Sequence, residues 1–214
     1  MRLFAFTLEK NYMRIGVIGS GAGSNFGAIA AAIADGSLQS VDVALVLSDV
    51  ENARILDRAH KLGIPATYLP ADAYKTKLDG VQEITYIHAL LAANVDYVVL
   101  AGFMRMIKSG MLATFPQRIM NIHPALLPAF PGLAAWEQAH AYGAKITGCT
   151  VHFVDSGMDS GPIIAQAAVP IEDTDTPGSL HARIQEQEHR LYPRVLQWLA
   201  DGRVRVRGRR VSII

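Results

Sequence analysis

Three short segments hold residues whose types and spacing could do chemistry. In Asn121-Ile122-His123-Pro124 an amide and an imidazole stand two residues apart, so on a strand both fall on one side. Pro124 denies His123 the helical conformation and keeps it extended. An amide donor beside an imidazole can stabilise a developing oxyanion, and the imidazole can also move protons. In Asp155-Ser156-Gly157-Met158-Asp159-Ser160-Gly161-Pro162 two carboxylates lie close to His152. Either could hold and polarise a neighbouring histidine, and the local sequence does not choose between them. His152 itself, on an apolar strand, reads as a core histidine rather than a catalyst. The third segment, Gly19-Ser20-Gly21-Ala22-Gly23-Ser24-Asn25, suits phosphate: glycines let backbone N–H groups approach an anion, and a helix N-terminus adds partial positive charge. Ser24 stands where a dinucleotide-binding GxGxxG would need its third glycine, and Asp49 lies well beyond the roughly 20-residue spacing of that motif's acid. No GxxxxGK[ST] is present, so the loop is not a P-loop.

The elements that position these segments follow from hydrophobic periodicity. Apolar, β-branched runs at Arg14–Gly19, Val41–Ser48, Ala66–Leu69, Asp96–Ala101 and Arg118–His123 alternate with helical stretches at Asn25–Ala34, Asn52–Leu62 and Tyr86–Ala93. That alternation predicts an α/β protein, a Rossmann-like, mostly parallel sheet with helices on both faces. Beyond residue 123 the pattern predicts a loop rich in Pro and Gly, a helix over Leu133–Tyr142, strands at Ile146–Val154 and Pro162–Val169, and a closing helix over residues 178–201 announced by Thr176-Pro177. Asn121, His123 and the Gly19–Asn25 loop then fall at the carboxyl ends of strands, where open α/β sheets bind ligands.

Composition narrows the partners. The chain has 214 residues, 50% hydrophobic, with a net charge of +1, which removes the overall field expected of a protein dedicated to nucleic acid or acidic membranes and points to a small ligand. Residues 203–214 hold five arginines and no acid, and taking those from +1 leaves −4 for the rest. Valines interleave with these arginines at nearly period two, so the tail reads as one half-exposed edge strand rather than a nucleic-acid arm. The lone Cys149 reads as a buried thiol and fits a reducing cytoplasm, and no His or Cys spacing suggests a metal. No stretch is long and apolar enough to span a bilayer. Residues 1–12 read as an N-terminal extension and residues 13–214 as one domain.

Gly21–Asn25 (GAGSN), Leu100–Met106 (LAGFMRM), Asn121–Pro128 (NIHPALLP), Val151–Pro162 (VHFVDSGMDSGP) and Gln187–His189 (QEH) with Tyr192-Pro193 occur in an order and spacing that resemble the folate-dependent formyltransferases. Within them the chain most closely resembles the branch acting on glycinamide ribonucleotide, over residues 13 to about 202. The resemblance implies the formyltransferase fold and transfer of a formyl group from 10-formyltetrahydrofolate, as co-substrate, to the amine of glycinamide ribonucleotide. The products would be formylglycinamide ribonucleotide and tetrahydrofolate, in a cytoplasmic monomer or homodimer. It implies catalytic roles for Asn121, His123 and Asp159, which selects Asp159 over Asp155. It assigns Gly23, Ser24 and Asn25 to the substrate phosphate and Glu188 to the ribose-glycinamide end. Met104, Arg105, Met106 and Ile107, with Asn121, would hold the pterin, and Lys75 is the candidate cation for the folate tail. Ala129 and Ala134 stand where some members carry a lysine and a histidine.

Overall fold

The computed structural model describes residues 12–71 and 74–214; the extension, apart from Tyr12, lies outside the described residues. The elements run β1 (Met13–Ile18), α1 (Ser24–Ala34), β2 (Val41–Ser48), α2 (Arg54–Lys61), β3 (Ala66–Tyr68), α3 (Gly80–Ala92), β4 (Tyr97–Leu100), α4 (Ser109–Thr114) and β5 (Ile119–His123). They continue with α5 (Ala135–Tyr142), β6 (Ile146–Phe153), β7 (Ile163–Pro170), α6 (Pro177–Ala200), β8 (Val204–Arg207) and β9 (Arg210–Ile213). A seven-stranded sheet has the order β3-β2-β1-β4-β5-β6-β7. Neighbours among β1 to β5 are parallel, and β6 pairs antiparallel with both β5 and β7.

Both faces of the sheet are covered, which is why its central strands are apolar at nearly every position. Ile15, Val17, Val99, Met120 and Ile122 pack with α1, α2 and α6 on one face. Ile18, Val98, Leu100 and Ile119 pack with α3 and α4 on the other. The alternation within β1, β4 and β5 is thus the period-two projection of one strand into two cores. Across the first core runs α6, started by a capping box in which Thr176 accepts from the Ser179 N–H while Ser179 accepts from the Thr176 N–H. Its fully buried Tyr192 shares one hydroxyl hydrogen between the carbonyls of Leu100 and Met120, both at 3.1 Å.

Three expectations need correction. Helix α3 begins at Gly80, not Tyr86, because the Asp79 side chain accepts from the Gly80 N–H. Val81 and Ile84 in its first turn face outward and obscure the periodicity. The six-residue α4 was not anticipated, being too short for two turns of pattern. The arginine-rich tail is not one edge strand but a two-stranded ribbon: Gly208 turns with φ 59° and β8 pairs antiparallel with β9. Val204, Val206, Val211 and Ile213 pack on the first core, while Arg205, Arg207 and Arg210 face outward. Among the described residues no helix is long and apolar enough to cross a membrane.

Tyr192→Phe removes the side-chain donor that joins α6 to Leu100 of β4 and Met120 of β5. It should cost about 1 kcal/mol, lowering the thermal midpoint by roughly 2–4 °C in a chain of this size. Calorimetry of the two proteins checks this, and an unchanged midpoint would refute it.

Candidate active site

Parallel β1 and β4 are neighbours, yet their following helices leave on opposite faces of the sheet. A crevice must open at that point above their carboxyl ends. It is a cavity of about 550 Å³, walled by the loops after β1, β4, β5 and β6 and by one face of α6, a size suited to small molecules.

The loop after β1 approaches its neighbours closely. A Cβ on Gly19 would lie 2.6 Å from the Ala101 carbonyl oxygen, and one on Gly23 2.7 Å from Ile55, so neither position accepts a side chain without movement. Gly23 has φ 68°, a left-handed conformation in which glycine is free, and it caps α1 with no side chain satisfying the helix end. The first-turn N–H groups are therefore available to an anion, and that turn contains no acidic residue. Arg58 adds a cation nearby by donating from Nε to the Ala22 carbonyl at 2.8 Å.

The side chain of Asn25 turns inward. Its Nδ2 donates to Glu188 Oε2 at 2.9 Å, while its Oδ1 is buried without a partner. Glu188 is 5% exposed, and burial pushes its carboxyl up to about 7 against the opposing effect of the Asn25 bond. His181, Gln185 and Glu188, spaced along one face of α6, all line the cavity. The His181 ring stacks on Trp136 of α5, centroids 3.7 Å apart, and closes that side. Sequence reasoning missed this stack, although His181 and Glu188 lie two helical turns apart.

At the end of β5, His123 is buried, with Nε2 2.8 Å from the Phe130 carbonyl. A carbonyl only accepts, so Nε2 carries hydrogen and Nδ1 faces Asp159, 3.4 Å from Oδ2. The same Oδ2 accepts from the Gly132 N–H at 2.8 Å. Register places Asn121 opposite His152. His152 Nδ1 donates to the Phe153 carbonyl at 2.9 Å, leaving Nε2 to accept from Asn121 Nδ2 at 3.4 Å. Burial lowers the His152 pKa, which suits that accepting role; the Phe153 carbonyl and Asp159 oppose the shift. Asp159 Oδ1 is 3.8 Å from His152 Nε2. His152 is thus part of the site and not only of the core, because the antiparallel return of β6 sets it beside Asn121.

The two loop carboxylates have separate tasks. Asp155 Oδ1 accepts from the Gly157 N–H at 3.0 Å and the Ser160 hydroxyl at 2.6 Å and so braces its own loop, while Asp159 faces the histidines. Cys149 is buried and its thiol is pushed up to about 12 by that burial, which leaves it unreactive at neutral pH.

The segment Met104–Ile107 lines the cavity opposite the phosphate loop. Arg105 is spent elsewhere: it pairs with Asp49 at 2.6 Å and donates to the Tyr74 carbonyl. Asp49 also holds the Ser20 hydroxyl, which accepts from the Met104 N–H. The Met106 N–H and carbonyl bond to Thr76 and Leu78. Of the 104–107 side chains, Met104 is the most exposed, at 59%. Lys75 is exposed and outside the cavity wall, which its neighbour Thr76 joins. Among the described residues no group of three or more His, Cys, Asp or Glu could hold a metal.

The chain is similar to known proteins over nearly its whole length. A formyl transferase family model matches residues 13–196. Phosphoribosylglycinamide formyltransferase of Bacillus subtilis is 40% identical over 186 residues, 87% of this chain and 94% of that protein. The trifunctional purine biosynthetic protein adenosine-3 of Drosophila melanogaster is 42% identical over 197 residues, which are 14% of its own length. Glycinamide ribonucleotide transformylase 1 from Symbiobacterium toebii superposes with a TM-score of 0.90 at 46% identity, covering 95% of each chain.

Unfolded Glu188 titrates near 4.5 and the folded residue near 7. Below 4.5 both states hold the proton and burial of the acid is harmless. Between 4.5 and 7 the unfolded chain ionises first, and stability is lost as pH rises, by about 3 kcal/mol at most. Glu188→Gln, which stays neutral, should therefore exceed the parent in thermal midpoint by several degrees at pH 8 and lose that advantage towards pH 5. A difference independent of pH would contradict the buried, proton-holding acid.

Proposed function

The chain belongs to the formyl transferase family, and we propose that Asn121, His123 and Asp159 carry out in it the transfer of a formyl group from 10-formyltetrahydrofolate to glycinamide ribonucleotide. The activity is that of a phosphoribosylglycinamide formyltransferase of purine biosynthesis, giving formylglycinamide ribonucleotide and tetrahydrofolate. The observation that carries the residue assignment is the convergence of the Asn121 amide, the His123 imidazole and the Asp159 carboxylate at the carboxyl end of β5.

The cavity fits both reactants. Phosphate suits the uncapped start of α1 at Gly23, Ser24 and Asn25, with the backbone rather than the Asn25 amide as donor, since that amide is spent on Glu188. Glu188, held beside this loop, would meet the ribose-glycinamide end. A flat pterin suits the wall made by Met104, Met106 and Ile107, anchored by the Met106 backbone to Thr76 and Leu78. Arg105 would shape that wall through Asp49 rather than touch the ligand with its side chain. Lys75, exposed beside Thr76, would meet only the part of the folate tail that leaves the cavity.

The donor supplies the formyl carbon bound to its N10, and the protein's groups then act on the transfer. As the glycinamide amine adds to that carbon, negative charge grows on the formyl oxygen. Asn121 Nδ2 has two hydrogens; one points to His152 and the second is free to meet this oxyanion. His123, with Nε2 fixed by Phe130, brings its Nδ1 edge and Asp159 to the same point. Asp159 accepts the proton released by the amine, shares it with the hydrogen-free His123 Nδ1 that it faces, and passes it to the departing N10. The Asn121 donor meets charge that exists only during reaction, so its loss should reduce kcat more than binding.

Asp159→Asn should keep the thermal midpoint and lower kcat by roughly 10²–10⁴-fold, with KM for both reactants changed much less. An absorbance assay of folate deformylation, run with and without glycinamide ribonucleotide, measures this. Near wild-type turnover in the variant would overturn the assignment of Asp159. Folate turnover in the parent that ignores the amine would replace transfer by hydrolysis.

A further inference from the structure

The arginine-rich ribbon has so far no part in the reaction, yet one of its side chains reaches the catalytic loop. Arg209, at the turn between β8 and β9, donates from Nη2 to the carbonyl of Ser160 at 2.8 Å. Ser160 directly follows Asp159, and this bond holds the Ser160–Gly161 peptide, the first peptide beyond the Asp159 backbone whose course sets the direction of the carboxylate.

That peptide needs holding. Asp159 has φ 50°, a left-handed conformation unfavourable for a residue with a side chain, which persists only where the surroundings enforce it. From inside the loop, Asp155 holds the Gly157 N–H and the Ser160 hydroxyl. On the far side, a Cβ on Gly161 would lie 1.8 Å from the Phe153 carbonyl oxygen, so the loop returns against its own strand with no room to spare. From the facing loop, the Gly132 N–H meets the carboxylate itself. Arg209 is the hydrogen-bonding tie that comes from the carboxyl-terminal ribbon.

The ribbon is a firm base for such a tie. Its apolar face, Val204, Val206, Val211 and Ile213, packs on the core. Its open end is closed by Arg203, whose Nε donates to the Ile214 carbonyl at 2.6 Å and whose own carbonyl accepts from the Ile214 N–H. Arg205 is spent on the Gly202 and Val204 carbonyls. The charges that suggest a nucleic-acid arm are thus in good part turned onto the chain itself.

We propose that Arg209 is a positioning residue for the reaction: it fixes the Ser160 peptide and so keeps the Asp159 carboxylate in line with His123. This rests on the reading of Asp159 as catalytic. It assigns the terminal ribbon a role in formyl transfer through the loop, with no contact to either reactant.

A double-mutant cycle tests it on the full chain. Arg209→Ala should lower kcat about fivefold, the rate equivalent of one ordinary hydrogen bond, with both KM values and the thermal midpoint nearly unchanged. Arg209→Lys should recover most of the loss, and Arg207→Ala, on the outward face of the same ribbon, should have no effect on kcat. In an Asp159→Asn background, where the carboxylate is already gone, Arg209→Ala should cost nothing further. Wild-type kcat in Arg209→Ala overturns the proposal, as does the same fivefold loss with Asp159 absent, or a loss reproduced by Arg207→Ala. Near wild-type turnover in Asp159→Asn alone removes the catalytic reading of Asp159, and the positioning role with it, whatever Arg209→Ala does.

Discussion

The Asp159 carboxylate closes two loops onto one histidine. Its Oδ2 accepts from the Gly132 N–H at 2.8 Å and lies 3.4 Å from His123 Nδ1, so the segment after β5 and the segment after β6 meet at one oxygen atom. Everything around it serves that meeting. The antiparallel pairing of β6 with β5 puts His152 opposite Asn121, and the loop that follows β6 folds back to set Asp159 against His123. Thr150 accepts from the Leu127 N–H and donates to the Ala125 carbonyl, which fixes the start of the facing loop. Asp155 braces Gly157 and Ser160, which stand before and after the strained Asp159 backbone.

A second constraint comes from charge. Without the five terminal arginines the chain carries −4, so no broad positive field draws a phosphate in. The attraction has to be local, from the uncapped end of α1 with Arg58 beside it. A carboxylate under the same loop would oppose it. Burial resolves the conflict: the raised pKa of Glu188 leaves much of it protonated at neutral pH, and Asn25 ties it to the loop that would receive the anion.

What could be read from the chain divides along physical lines. β2 was legible to the residue because a strand buried on both faces runs almost wholly apolar, here broken before Ser48 only by Asp42, which pairs with Arg14 on the neighbouring strand. The start of α6 was legible because Thr176 and Pro177 are local signals that act through local bonds. The pairing of Asn121 with His123 followed from period two alone. His152 is buried as a core histidine would be, but its contact with Asn121 was not legible, because that depends on register with a strand some thirty residues away and single-strand periodicity carries no register. Asp155 and Asp159 could not be separated from local sequence, since both are loop acids; only the resemblance divided them, and the distances divide them again. The ribbon, like the His152 contact, was hidden because pairing carries the information: Gly208-Arg209 is a turn only when the two halves have a partner in each other.

The central claim is that Asn121, His123 and Asp159 bind the reaction's transition state more tightly than its reactants. Affinity for a stable tetrahedral analogue joining the two reactants, measured by calorimetric titration across single variants at these three positions, tests it most directly. Loss of analogue affinity should track the loss of kcat/KM with a slope near one on logarithmic axes, while the affinity for each reactant alone stays nearly constant. Full analogue affinity in a variant whose kcat/KM has collapsed would contradict it.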